Sequence, residues 1–462
     1  MDARSREQPK RKGLIAQLGD FLRWMLLLAL VTITIASLGM YFVHSRLDEE
    51  IRLHVVNVFQ LNYPGLIVQV RSAHRIEGSG IELRGLSLTE PTSNGAPIPL
   101  VYVEELFAEC GTELADLAAG KTHAKQLVLR GVKVRATRFP DGSWNLTRLL
   151  PFPKFSDSPP PATIEGAFLE FVDLTGAAGR GLSVRDISFE ITPVASKEIA
   201  ASLDAPPTMQ LRGSFAADHL RRVTVRGQVN PTLREWNLQG DVEGLDLSSQ
   251  TINALPDDIA SQLSSLRVAT GNTNFTFSSE KLGANSDASY SLLGRFTGRI
   301  EDPRLPHALM RVELPFEVTN AGVKIQDATA QAGPGPSKLQ LSASIAKLSP
   351  DTTFAFRLKA QQVTLNEQLA KPLQGKFRDA WDKFSPQGTV DADITMFYDG
   401  NEFKTSIVAD LLDASFAYEK FPYRVHHASG QLRLHEDVLE VDNVRASANG
   451  RPMRLRGKLR NP

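Results

Sequence analysis

The chain has 462 residues, room for two or three ordinary domains or one elongated body. Lys plus Arg and Asp plus Glu each total 52, so the formal net charge is zero, which argues against a nucleic-acid binder. A hydrophobic content of 42%, with 33 glycines and 27 prolines, suits a turn-rich β protein rather than a disordered one.

The first segment, 1–22, is basic, with Arg4, Arg6, Lys10, Arg11 and Lys12. Arg23 closes it, and the run from Trp24 to Val43 carries no charge; as a helix it spans about 30 Å of hydrocarbon. A transmembrane anchor is therefore expected at 23–43. The basic flank places 1–22 in the cytoplasm and the remainder across the membrane. A cleaved signal peptide would have a shorter apolar core and a cleaner small-x-small site than Ala36-Ser37-Leu38. Cys110 is the sole cysteine, so no disulfide braces the exported part.

Residues 45–61 read as a helix leaving the membrane, ended by Tyr63-Pro64-Gly65. Strands follow at 66–70, 81–88 and 100–103, then a short helix at 106–119 closed by Gly120. The stretch 125–150 alternates apolar and charged residues, with Leu127, Leu129, Val132 and Val134 set against Arg130, Lys133 and Arg135. Gly131 permits a bulge, and Pro140-Asp141-Gly142 supplies a tight turn before Trp144. A proline-rich linker occupies 152–161. Alternating strands are expected at 164–172, 182–191, 209–215, 223–229 and 236–242.

Two helical islands interrupt, at 256–266 and 369–384. The second places Leu373, Phe377, Ala380, Trp381 and Phe384 on one stripe, which reads as core packing rather than a cofactor box. The strands after each island match in style, with Gly271 corresponding to Gly388, which predicts a duplicated unit of about 116 residues. The expected organisation is thus a cytoplasmic segment (1–22), an anchor (23–43), a β region (44–190) and two β repeat units, each with an island (191–300 and 301–462).

No motif for phosphate cradling, zinc proteolysis, a nucleophile elbow or dithiol chemistry is present. His426 and His427 are neighbours on an extended segment and point to opposite faces, so they do not share a metal. Asp391 and Asp393 alternate with Val390, Ala392 and Ile394 as the wet face of a strand. Asn145 and Asn274 match the glycosylation sequon, which has meaning only in a eukaryotic secretory lumen. The reading is of a non-enzyme with no cofactor. Strands that alternate this regularly have one dry and one wet face, and about four helical pieces cannot cover some twenty strands. Either the sheet folds on itself as a sandwich or it curls into a lipid-compatible groove.

Residues 104–150 resemble the amino-terminal region of the AsmA-like envelope proteins of double-membrane bacteria. The matching positions are Leu117, Gly120, Leu127, Leu129, Gly131, Val134, Arg138, Asp141, Gly142, Asn145, Leu146, Leu149 and Leu150. The resemblance is clear over 14–190 and is one of style beyond. It implies a mainly β fold: a single anchor followed by an elongated, curled antiparallel sheet with a few short helices. It further implies an inner-membrane, single-pass protein whose bulk is periplasmic. Such a protein shields phospholipid acyl chains for transport or homeostasis between the inner and outer membranes. An outer-membrane or periplasmic protein would complete the bridge. Alternation assigns the lining to Leu127, Leu129, Val132, Val134, Phe168, Phe171, Leu182, Val184 and Ile187. The competing expectation is a non-catalytic scaffold with a filled core that holds other envelope proteins.

Overall fold

The computed structural model describes residues 32–34, 46–91, 99–113, 124–149, 159–175, 180–194, 208–230, 233–255, 260–261, 264–333, 335–346, 352–418, 423–436 and 438–460. The expected anchor at 23–43 lies outside them apart from Thr32, Ile33 and Thr34, which are helical. Among the described residues no helix is long and apolar enough to cross a membrane. The chain divides into two compact units, Met1–Ala124 and Lys125–Pro462.

In the first unit, helix α1 (residues 46–62) precedes β1 (Ile67–Gln69), β2 (Ser72–Ile76), β3 (Gly80–Thr89) and β4 (Pro99–Glu109). β1 and β2 pair antiparallel with opposite halves of β3, and β4 covers its other edge. α1 is held to the sheet through Asp48, whose carboxylate accepts from the Arg75 backbone N–H and faces His74 Nδ1, each at 3.1 Å. Leu83, Leu86, Leu88, Leu100 and Val103 are buried, as are Tyr63, Leu66 and Val68. The helix expected from residue 106 is corrected over 106–109, because those residues continue β4 with Leu106 opposite Leu83 and Ala108 opposite Ile81. Cross-strand burial there outweighs the helical propensity of Leu and Ala. Residues 114–119 fall outside the described set. Burial pushes the Cys110 thiol above its ordinary range.

The second unit is a meander. It comprises β5 (Gln126–Arg130), β6 (Lys133–Arg138), β7 (Ala162–Asp173), β8 (Arg180–Pro193), β9 (Met209–Ala217), β10 (Leu220–Asn230) and β11 (Glu235–Leu247). Next come β12 (Ala269–Leu282), β13 (Ser289–Ile300), β14 (Leu309–Thr319), β15 (Gly322–Ala332), β16 (Lys338–Ala346) and β17 (Thr353–Leu365). It closes with β18 (Gln387–Tyr398), β19 (Phe403–Phe416), β20 (Val425–His435), β21 (Val438–Ala448) and β22 (Arg451–Arg460). From β7 to β22 each strand pairs antiparallel with the next. β5 and β6 instead run parallel to β7. A parallel pair needs a crossover of a dozen or more residues, and the chain between Arg138 and Ala162 supplies it.

Within that crossover the Asp-Gly turn brings Trp144 back opposite Arg138, and Asn145–Leu149 forms a 3-10 turn. Asn145 is buried; its Oδ1 accepts from Thr137 N at 2.8 Å and its Nδ2 donates to Arg135 O at 2.9 Å. Its amide thus satisfies backbone groups of β6 that do not bond to β7, while the Trp144 ring lies 5.1 Å from that of Phe171. An amide committed in this way is not a glycosylation acceptor.

Bulges recur from strand to strand. Gly166, Asp186, Gly244, Arg311, Asp327, Gln362, His427 and Asn443 all have positive φ, and each sits at a shift in strand register. A bulge bends its strand and increases its twist. The N–H groups that lose a ladder partner are captured from the neighbouring strand. Asp391 accepts from Gln362 N at 2.7 Å, Asn274 from Gly244 N at 2.6 Å and Ser342 from Asp327 N at 3.2 Å. Beside the bulges lie buried Ala167, Val242, Val312, Ala328, Ala360, Ala428 and Val444.

Within the first helical island expected at 256–266, the described residues 260–261 are helical and 264–266 begin a 3-10 turn, with a further short helix just before it. Helix α2 (Ser249–Ala254) is capped by the Ser248 hydroxyl, and a 3-10 turn spans Ser264–Val268; residues 256–259 lie outside the described set. The second island splits into α3 (Glu367–Ala370) and α4 (Lys376–Phe384) at Gly375, where φ is 55°. Gly271 and Gly388 each stand near the start of the strand that follows an island.

Candidate functional site

The register of the second unit lines up its apolar residues. Starting at Leu129, the row passes through Ile164, Phe189, Gly213, Val225, Gly240 and Phe277. It continues directly through Leu292, Val318, Val323, Ile345, Phe354, Tyr398 and Phe403. Paired residues in a ladder point to the same face, so this is one unbroken apolar line from β5 to β19. Where glycine interrupts it, an aromatic ring fills the space: the Cβ position of Gly213 is 2.3 Å from the Phe189 ring, and that of Gly240 is 2.8 Å from Phe277. At the far end Tyr398 and Phe403 lie 4.5 Å apart, with Phe354 against both.

The members of this row are half-buried rather than sealed. Gly240 alone is fully buried, whereas Ile345 and Phe403 are 37% and 62% exposed. The inner faces of a sandwich would be closed by a second sheet. Among the described residues, full burial includes the bulge neighbours and two clusters. One is Ala269, Phe296 and Val312; the other is centred on Val390, Leu411, Ala414, Val425, Ala428 and Val444.

The opposite face is charged. Arg357 binds Asp393 with its guanidinium at 2.7 Å, holding that carboxyl below the usual carboxylate range. Arg130 pairs with Glu165 at 2.8 Å. Asp391 and Asp393 belong to this wet face, as their alternation implies. His427 Nδ1 lies 3.1 Å from Asp413, and among the described residues no group of three or more His, Cys, Asp or Glu converges as a metal site would require.

Eight of the nine positions assigned by alternation share the dry face. Leu127 and Leu129 pair with Ala162 and Ile164; Val134 pairs with Leu169; Phe171, Leu169 and Ala167 pair with Leu182, Val184 and Ile187. Val132, beside the Gly131 bulge, is buried. Phe168 is corrected: it stands opposite Lys133, 36% exposed on the wet face. It stands three positions before Phe171, and an odd offset on a regular strand reverses the face.

Sequence reasoning missed one concavity. At the β18–β22 end the dry face and α4 flank a half-open concavity of about 730 Å³. All five residues of the expected stripe, Leu373, Phe377, Ala380, Trp381 and Phe384, line its roof. Ile407, Leu432, Leu434, Leu439 and Leu455 line its floor. The helix is pinned at both ends. Arg378 donates to Ala370 O and pairs with Glu367 and Asp382, while Ala417 N donates to Phe384 O at 2.9 Å and Arg424 to Ser385 O at 3.1 Å. The stripe was expected to pack as core; instead its residues line an open concavity, none of them fully buried and Phe377 48% exposed.

No protein-family model matches the chain, and no curated protein is detectably similar to it.

Proposed function

We propose that this protein is a membrane-anchored, periplasmic, non-enzymatic protein of the AsmA-like type. Its sheet curls into a groove that shields phospholipid acyl chains, serving their transport or homeostasis between inner and outer membranes. One observation carries the reading. The apolar row from Leu129 to Phe403 is continuous through fourteen residues in register, yet half-exposed, with no second sheet over it among the described residues. Water contact along such a surface is unfavourable, and each methylene shielded is worth about 0.8 kcal/mol. A lining without a distinguished polar pocket lets a chain slide instead of trapping it. The recurrent bulges supply the bending that a groove needs. The uncharged run from Trp24 to Val43 with its basic flank supplies the anchor and the orientation.

The test is a lipid-resolved mass spectrum of the detergent-purified full chain beside an unrelated single-pass membrane protein prepared identically. Phospholipid retained well above that control is the expected result. A lipid level equal to the control removes the lipid reading and leaves an envelope scaffold.

A further inference from the structure

Strand β22 pairs with β21 along its length, and among the described residues no strand adjoins its other side. Its sequence, RPMRLRGKLR, has five cations and no acid. Met453, Leu455 and Leu459 lie on the dry face, opposite Ala446, Val444 and Leu439. Alternation sends Arg454, Arg456, Lys458 and Arg460 to the wet face, where all four are exposed. Of these, Lys458 alone has an acidic partner among the described residues, Glu440. Arg454 stands directly opposite Arg445, and like charges so placed repel.

The backbone of the same four residues faces outward. Pro452 has no N–H, and sheets place proline where that group would point away from the ladder. Inward and outward groups alternate along an antiparallel strand, so the N–H groups of Arg454, Arg456, Lys458 and Arg460 point away from β21. Cations and a proline at an edge deter indiscriminate pairing, and further protection comes from a short strand or a charge set among the apolar residues. β22 lacks that further protection: it runs for 10 residues and its dry side stays apolar. Such an edge rejects a basic strand and suits an acidic one.

We infer that the outer edge of β22 docks an extended acidic segment of a partner protein. The segment adds antiparallel as a further strand, its carboxylates beside Arg454, Arg456, Lys458 and Arg460 and its apolar side chains continuing the dry face. In such augmentation main-chain hydrogen bonds supply affinity and side chains supply selectivity. A second copy of this chain does not fit. Two β22 strands side by side set cation against cation, and β1 and β2 of the first unit carry no acid. The inference goes beyond the lipid-shielding proposal and stands without it.

The experiment titrates labelled peptides with the full chain in neutral detergent at low salt and reads fluorescence anisotropy. The probe is a Glu-Val repeat as long as β22, compared with a Lys-Val repeat. Two further versions of the Glu-Val peptide are N-methylated, one at the glutamates, whose N–H groups face β22 in the docked strand, the other at the valines, whose N–H groups face out. The Glu-Val peptide should bind at least about 10-fold more tightly than the Lys-Val peptide. Methylation at valine should leave its affinity intact, and methylation at glutamate should lower it by about 10-fold or more. Arg456→Gln should weaken it about 2- to 5-fold, the range of an exposed ion pair, and Arg454→Glu combined with Arg456→Glu should remove the preference between the two repeats. Both residues are exposed at the edge, so the variants keep their fold. Equal effects of the two methylations leave a surface that attracts any polyanion, an anionic membrane included, and overturn the docked strand. No binding, equal affinity for the two repeats, or a preference untouched by the double variant overturns the site. A concentration-dependent dimer in sedimentation that the Glu-Val peptide dissociates puts a second copy at the edge and overturns the partner.

Discussion

At the scale of single residues, Asn145 shows how a sequence motif turns into structure. Its amide satisfies Thr137 N and Arg135 O of β6, and it does so from a position 5% exposed. Removing it leaves two backbone groups short of partners in a place water reaches poorly, at about 1–3 kcal/mol for each unsatisfied group. Asn145→Ala should therefore lower the stability of the second unit by about 2 kcal/mol, and Asn145→Asp by more, because its buried carboxylate sets a second acceptor against Arg135 O. Urea denaturation of the two variants measures the difference; an aspartate variant more stable than the alanine one would show that the donor half of the amide contributes nothing. The same logic explains Asp391 and Asn274, which sequence alone leaves as a wet-face acid and a chance sequon. Each captures a backbone N–H that a bulge on the next strand has stranded.

At the scale of elements, the bulges decide the geometry and leave little trace in the sequence. Gly131 betrays itself as glycine between alternating runs. Asp186, Arg311, Asp327, Gln362, His427 and Asn443 do not, since nothing in their side chains demands a positive φ. The left-handed region costs a residue with a Cβ about 1–2 kcal/mol relative to glycine, and more when the side chain is branched. Gln362→Gly should thus hold or raise stability by up to about 1 kcal/mol, whereas Gln362→Val should lower it by at least about 1 kcal/mol. Thermal or urea unfolding of the pair checks this, and a valine variant as stable as the glycine one would show that no bulge forms there. Alternation made the strands legible because its period of two survives without tertiary information. The bulges were illegible because each inserts one residue and flips the phase downstream, so a pattern counted straight through errs by one face. Phe168 is such an error. The α4 stripe was legible from its helical spacing, but whether it seals a core or roofs a void depends on how far the floor bends away.

At the scale of the whole sheet of the second unit, the question is what fills the space above the dry face, and two adjacent residues of β13 can decide it. Leu292 belongs to the apolar row, between Phe277 and Val318, and Leu293 stands on the opposite face, 60% exposed. An aspartate at either site is the same change in chemistry on the same strand. Were the dry face sealed as a protein interior, Leu292→Asp would bury an unpaired carboxylate and unfold the sheet, because such burial costs several kcal/mol. On a half-exposed face the carboxylate keeps its water, and the expected loss is about 1–2 kcal/mol. The damage then falls on the guest, since an acyl chain crossing that row must desolvate a charge. Leu292→Asp should therefore fold, retain cooperative unfolding, and copurify with several-fold less phospholipid than the parent chain, while Leu293→Asp should load as the parent does. Lipid phosphorus per mole of protein, read beside the urea midpoint, separates the cases. A Leu292→Asp protein that fails to fold argues for a closed interior, and one that folds with its full lipid complement shows that the row does not touch the guest.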